Sequence, residues 1–430
     1  MLLSKKIESY LVVERIRMRI LIVSQYFFPE PFPVINELVK ALTSSGCEIT
    51  VLTGMPNYPS GNVYSEYKDK TAFTDYIDGI RIHRISFRPR GNGTARELFL
   101  SYLSFVIKGL KYFPKYLKGE SYDVVFVFAP SPITSAIPAI YLSWKLKSHL
   151  AIWVQDLWPE SLSATGFIKN RFLLALVRLL VRGIYSQADT LLVQSEGFIK
   201  PVARYADVEK IIYYPNSFKD EYVEVQQDLT QSKGDALPTD LAHLLEQYSC
   251  VTFTGNLGTA QSLQTIIDAA AKLKYLPNLR IVLVGSGALS DWLLEQKVNR
   301  KLDNLVLAGR LPSEMMSQIF MRSEALLVTL NKAEIFNYTI PSKIQAYLAS
   351  GRPIIAALDG DGAKVVEKSG AGLTCGAEDV NGLVRSIECL CNMTEVEKQK
   401  MSESGRNYYL EHFEMDLQAK NLIDILNNRI

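Results

Sequence analysis

The stretch Val251–Gln261, VTFTGNLGTAQ, constrains the fold more than any other part of the chain. A short apolar run stops at a Thr-Gly-Asn-Leu-Gly turn and gives way to a helical pattern. A helix beginning near Gln261 leaves backbone N–H groups free at its positive end, where a phosphate can be held. Glycine turns between strand and helix are common in α/β proteins, so the weight lies in the strand-like runs C-terminal to this one. VLVGSGA at 282–288, NLVLAGRLP at 304–312, LLVTL at 326–330 and PSKIQAYLASGRPIIA at 341–356 each join a strand-like run to a turn or a helix pattern. Such a series makes a parallel sheet with its loops gathered at one end, and ligands of such sheets lie in the crevice outside the carboxyl ends of the strands.

The first half repeats the pattern. Arg19–Ser24, Glu48–Leu52, Ile80–Ile85, Asp123–Phe128, Leu150–Gln155, Thr190–Val193 and Ile211–Tyr214 read as strands with helical stretches between them. A chain of 430 residues has length for two cores of roughly 200 residues each. The division expected is an extension at 1–17, a Rossmann-like domain at 18–217, a polar connection at 218–249 and a second Rossmann-like domain at 250–400. A C-terminal helix at 401–430, the end of a helical run from Thr394 to about Asn427, would return across the boundary.

Charge excludes one class of partner. Lys and Arg number 47 against 45 Asp and Glu, a net charge of +2, so nucleic-acid binding is not expected. The five cysteines are scattered and odd in number, as in a reduced protein, and Cys389-x-Cys391 lacks the companion ligands of a zinc site. Val124–Trp144 is the longest uncharged stretch, but Pro130, Pro132 and Pro138 divide it into a strand, a turn and a helix instead of a membrane span.

Several loops carry polar side chains to the expected crevice. QYFFPEPFPV after the first strand includes Glu30, and GMPNYPSG at 54–61 offers Asn57 and Tyr58, with a purely structural turn equally open. Asp156-Leu-Trp158-Pro-Glu160-Ser161 brings two carboxylates and an indole out of a strand. Asp156 there either meets a sugar hydroxyl or a reacting group, or serves with Glu160 as a helix cap. Ser342 and Lys343, after Pro341 at a helix start, place a hydroxyl and a cation near a ligand phosphate. Two apolar-basic stretches, 98–119 with Lys108, Lys111, Lys115 and Lys118 and 167–185 with Lys169, Arg171, Arg178 and Arg182, have the composition of helices resting on an anionic membrane surface. An ordinary core-facing helix is the other reading of both.

ILIVSQYFFPE, TGMPNYPSG, VQDLWPES, TGNLGTAQ, VLVGSG and PSKIQAYLASGRPIIA, spread in this order over residues 20–356, resemble the retaining two-domain glycosyltransferases called family four. The nearest resemblance is to bacterial transferases of O-antigen, capsule and colanic-acid assembly, N-acetyl-L-fucosamine transferases among them. The resemblance implies a GT-B fold, in which two Rossmann-like domains face each other across a cleft. It implies a UDP-sugar donor, a polyprenyl-diphosphate-linked saccharide acceptor, and work at the cytoplasmic face of the inner membrane. The donor diphosphate would lie at Gly255, Asn256, Gly258, Arg310, Ser342 and Lys343, and the base or ribose at Gly285, Ser286 and Gly309. Asp156, Glu334 and Lys343 would carry the chemistry, with Glu30, Asn57, Tyr58, Trp158 and Glu160 on the acceptor side.

The chain departs from the family pattern in places. Position 346, where a glutamate often holds the ribose, is Ala; a frequent histidine is replaced at Phe128-Ala129-Pro130; and Gln261 stands where a lysine is common. No cofactor and no obligatory metal are expected, because Asp359-Gly-Asp361 follows a surface turn and not a convincing strand end. Two further readings stay open: a two-domain UDP-sugar epimerase, and a non-catalytic membrane-associated component of polysaccharide assembly.

Overall fold

The computed structural model describes residues 17–164, 170–220 and 237–430. The start of the chain, Lys169 of the second apolar-basic stretch and half of the polar connection, residues 221–236, lie outside the described residues.

The first unit is one sheet of β1 (Arg19–Val23), β2 (Glu48–Gly54), β3 (Ala72–Ile77), β4 (Ile80–Ile85), β5 (Val124–Ala129), β6 (His149–Val154), β7 (Thr190–Val193) and β8 (Ile211–Tyr213). Its order is β3-β4-β2-β1-β5-β6-β7-β8, parallel throughout except for β3. Central strands carry helices on both faces and are therefore apolar without alternation; all six residues of β5 are buried. Edge strand β3 is the one the sequence reading passes over. It pairs with β4 through a tight turn in which Asp78 and Gly79 both take positive φ, 50° and 79°, the backbone that an Asp-Gly hairpin favours.

The second unit holds β9 (Ser249–Thr254), β10 (Leu279–Val284), β11 (Leu305–Gly309), β12 (Ala325–Thr329), β13 (Ile354–Ala357) and β14 (Gly372–Cys375), all parallel in the order β11-β10-β9-β12-β13-β14. Within the stretch read as connection, helix Thr239–Gln247 buries Leu241 and Leu245 in this unit's core. In each sheet the chain first winds one way from its first strand and later the other. The switch points fall between β1 and β5 and between β9 and β12. These are the positions where an open parallel sheet leaves a crevice for a ligand.

The two units meet at the carboxyl ends of their strands. Beyond β7, the Ser195 hydroxyl donates to the Tyr338 carbonyl, and the Gly197 N–H donates to Asp361 Oδ2 at 2.5 Å. Ile335 and Tyr338 of the second unit pack on the core of the first. The facing arrangement is that of a GT-B fold.

The C-terminal helical run is interrupted, where the sequence suggests one helix. Helix Glu395–His412 lies on the second sheet, with Tyr409 fully buried, and helix Met415–Asn427 lies on the first, where Ala419, Leu422 and Leu426 join Ile35 and Leu38. The break at Phe413–Glu414 lets the chain change direction, and Glu414 caps the new helix by accepting from the N–H groups of Asp416 (3.0 Å) and Leu417 (2.7 Å). Phe218 N–H donates to the Phe413 carbonyl at 3.0 Å, so the two crossings between units run side by side.

Candidate active site

The loop expected to hold a donor phosphate grows out of β9. At its end, Thr254 is held by the Tyr347 hydroxyl, which lies 3.1 Å from both its N–H and its Oγ1. Gly255 then turns at φ 126°, its N–H bound to the Val284 carbonyl, while Leu257 N–H is bound to the Ser286 carbonyl. Between these anchors the N–H groups of Asn256 and Gly258 donate to no group of the chain among the described residues. The neighbouring loop is zipped to this one so closely that a Cβ on Gly285 would stand 1.8 Å from the Gly255 carbonyl oxygen. Gly285 N–H in turn donates to the Gly309 carbonyl at 2.7 Å. From the other side of the switch point, Asn331 N–H donates to the Ala260 carbonyl at 2.9 Å and the Thr329 hydroxyl to that of Gln261. The regular helix starts at Leu263, after a short turn at Thr259–Gln261.

Lys343 enters from helix Ser342–Ser350. Its stem runs past Gly255, where a Cβ would stand 3.0 Å from Lys343 Cε, and its Nζ lies 3.6 Å from the centre of the buried Phe253 ring. Nζ donates to Gln261 Oε1 at 2.5 Å, so the glutamine found in place of a common lysine is the ammonium's hydrogen-bond partner. Burial without a carboxylate partner disfavours the charge and pulls the Lys343 pKa down to about 7. A cation in this state is short of a negative charge, and the free N–H groups of Asn256 and Gly258 belong to the same loop. Ser342 is exposed at the first turn of the helix, and Arg310 is exposed one loop away. Ala346 packs on the apolar core and brings no polar group to a ribose.

Across the cleft, Asp156 follows β6 and is enclosed. Burial pushes its pKa up, with bonds from Ser161, Trp158 and the Leu157 backbone pulling the other way. Trp158 is itself buried and donates from Nε1 to Asp156 Oδ2 at 3.3 Å, so it serves as a wall that orients the carboxylate. Glu160 accepts from the Tyr205 hydroxyl at 2.9 Å at the start of its short helix. Glu334 sits on helix Glu334–Asn337, exposed, and accepts from the Tyr338 hydroxyl at 2.6 Å.

Two residues expected at the acceptor do not face a ligand. Glu30 is buried and spends both oxygens on the backbone: Asn57 and Tyr58 N–H groups donate to Oε1 at 2.8 Å each, and Phe27 N–H to Oε2 at 3.1 Å. Burial outweighs these bonds and pushes its pKa up to about 7. Asn57, fully buried, donates to the Met55 carbonyl and accepts from Arg90 N–H. Both residues tie the loops after β1 and β2 together and leave no atom for an acceptor. Tyr58 remains at the rim, tilted against Phe32 and Tyr26 with ring centres 5.2 and 6.0 Å away. Sequence reasoning missed this aromatic group, although Tyr26, Phe27 and Phe28 stand together in the motif.

The described residues hold no cluster of three metal-binding side chains. A cavity of about 680 Å³ lined by Tyr213, Asp361, Tyr408 and His412 lies at the hinge, where the C-terminal helices cross, away from Lys343 and Asp156.

Facing Rossmann-like domains, with a phosphate-ready loop and a buried cation at one switch point, define the class as a GT-B glycosyltransferase. Residues 33–217 match the model of a glycosyl transferase 4-like domain and residues 249–393 that of glycosyl transferases group 1, and the chain belongs to this GT4-like family. It is 23% identical over 329 residues to the colanic acid biosynthesis glycosyl transferase WcaI of Escherichia coli K12, covering 74% of this chain and 76% of the relative. It is 22% identical over 412 residues to the O-antigen chain mannosyltransferase C of Escherichia coli, covering 93% and 95%. The crystal structure of Anabaena HepE in complex with UDP superposes with a TM-score of 0.68 at 13% identity, covering 96% of this chain and all of that one.

Proposed function

We propose that this chain transfers a sugar from a UDP-sugar to a lipid-linked saccharide, with retention at the anomeric carbon, in the assembly of a bacterial surface polysaccharide. The observation that carries the reading is Lys343: a buried ammonium without a carboxylate partner, beside a glycine loop whose N–H groups are free. A departing diphosphate supplies the missing charge. The UDP bound by HepE and the polysaccharide pathways of WcaI and the O-antigen mannosyltransferase support the same donor and product class. The sugar assigned is N-acetyl-L-fucosamine, on the resemblance of the motifs.

The second unit takes the donor and the first the acceptor. As the bond from the anomeric carbon to the β-phosphate oxygen breaks, charge gathers on UDP and is met by Lys343 and the loop N–H groups. The acceptor hydroxyl attacks the same face, and its proton passes to the leaving phosphate oxygen. Glu334 positions the donor sugar, and Asp156 orients the sugar or the acceptor.

The first unit also rests on the membrane. Helix Ala95–Tyr116 buries Leu98, Phe105 and Phe113 yet exposes Phe99, Leu103 and Ile107 on another face. Helix Arg171–Gln187 exposes Phe172, Leu176 and Leu179, with Arg178 and Arg182 alongside. Apolar side chains spaced by about one turn and flanked by cations suit an anionic bilayer surface. No helix among the described residues is long and apolar enough to cross one.

The test is turnover in detergent or vesicles with a polyprenyl-diphosphate saccharide and a panel of UDP- and GDP-sugars, followed by the mass of the lipid product. Product with UDP-N-acetyl-L-fucosamine and acceptor together is expected. Product from a GDP-sugar alone overturns the donor assignment, and interconversion of free UDP-sugars without lipid product overturns the transferase reading.

A further inference from the structure

The segment from the end of β4 into helix Ala95–Tyr116 holds three arginines, Arg88, Arg90 and Arg96, that the chemistry above does not use. None has a carboxylate oxygen within 4.0 Å among the described residues. Arg90 is the innermost. Its N–H donates to Asn57 Oδ1 at 3.2 Å, and its guanidinium lies 4.9 Å from the centre of the Tyr58 ring. Its charge is felt at the hydroxyls of Tyr26 and Tyr102; Tyr102 also bonds Ser131 and is within electrostatic reach of Asp156. Arg88 is exposed just before it in the chain, and Arg96 opens the helix that carries exposed Phe99, Leu103 and Ile107 outward.

Three chemistries therefore succeed one another along this side of the first unit: a hydroxyl-and-carboxylate floor at Asp156, the guanidinium groups of Arg90 and Arg88, the latter within electrostatic reach of Glu97, and an apolar helix face. A saccharide joined through a diphosphate to a hydrocarbon chain has the same order. We propose that Arg90, with Arg88 beside it, binds the diphosphate of the lipid-linked acceptor and so sets how far the saccharide reaches toward Asp156. The proposal rests on the reading of the acceptor as lipid-linked and adds to it a second anion site, separate from the donor's. Guanidinium suits the task because its planar fork meets two phosphate oxygens at once, and contact with the Tyr58 face holds it oriented before the ligand arrives.

Two acceptors with one saccharide separate the possibilities: a short, water-soluble farnesyl diphosphate derivative and an octyl ether without phosphate. Arg90→Ala is expected to raise the KM for the diphosphate acceptor by about 10- to 100-fold, the size of a lost charge-assisted bond. KM for the donor and turnover of the octyl acceptor should stay within about twofold. Arg88→Ala, at an exposed position, should do the same more weakly, and Arg90→Lys should recover part of the loss. Flotation with phosphatidylglycerol–phosphatidylcholine vesicles should not change. Equal losses on both acceptors, or lost flotation with an unchanged preference between acceptors, overturns the proposal, the second outcome by assigning the arginines to phospholipid headgroups. An active wild type with an unaltered Arg90→Ala preference removes this inference alone, whereas a wild type inactive on both acceptors removes the lipid-linked reading as well.

Discussion

Lys343 shows how one side chain carries a pH signature. In the free protein its burial lets the ammonium lose its proton near pH 7, well below an ordinary lysine. A bound diphosphate favours the charged form, so above pH 7 binding takes up a proton. The Kd for UDP is therefore expected to rise with pH between 7 and 9, by a factor approaching about tenfold per unit. Calorimetry in two buffers of different ionisation enthalpy measures the uptake directly, and Lys343→Arg should abolish it while keeping the charge. An equal pH dependence in that variant would place the titrating group elsewhere. The glycines at 255 and 285, with φ of 126° and 147°, are legible in the sequence because turns of this kind need them there. Gln261 as the lysine's partner was not, since the two stand 82 residues apart and meet only when β9 and helix Ser342–Ser350 are packed together. Glu30 misled for a related reason: a carboxylate in a rim loop reads as a ligand group until the N–H groups of Asn57 and Tyr58 are seen to consume it.

At the scale of elements, strands are legible where burial on both faces makes an unbroken apolar run, as in β5, and poorly legible where it does not. Edge strand β3 alternates between half-buried and exposed residues, and the signal that would have found it is the Asp78-Gly79 turn after it. The break at Phe413–Glu414 escaped because glutamate is not among the favoured helix caps, yet here it caps the helix Met415–Asn427. That helix accords with its pattern: Ala419, Leu422 and Leu426 fall on one face and are fully buried against the first unit. Leu422→Ala leaves a void between two packed helices and should cost about 2–5 kcal/mol. The loss is read as a lower urea midpoint for the first unit. An unchanged midpoint would mean that the final helix is not part of that unit's stability.

The whole molecule acts through the closeness of its two halves. Glu334 belongs to the second unit and Asp156 to the first, and the short helix bearing Glu334 is drawn toward the first unit by Ile335 and Tyr338 packing on its core. The contact is close at Gly197, whose N–H meets Asp361 Oδ2 and whose missing side chain leaves the room: a Cβ there would stand 2.6 Å from that oxygen and 2.9 Å from Tyr338 Cα. Gly197 is not among the glycines with positive φ, so alanine fits its backbone and acts as a wedge between the units. The donor loop at 255–258 and Lys343 lie wholly in the second unit and do not feel the wedge. Gly197→Ala is therefore expected to leave the Kd for UDP within about twofold while lowering kcat on the order of 10- to 100-fold, as a displacement of about 1 Å between reacting groups does. Small-angle scattering should show a larger radius of gyration for the variant with UDP bound. If kcat survives in a visibly opened molecule, Asp156 and Glu334 do not act on one substrate pair; if the Kd for UDP worsens in step with kcat, the first unit contributes to donor binding itself.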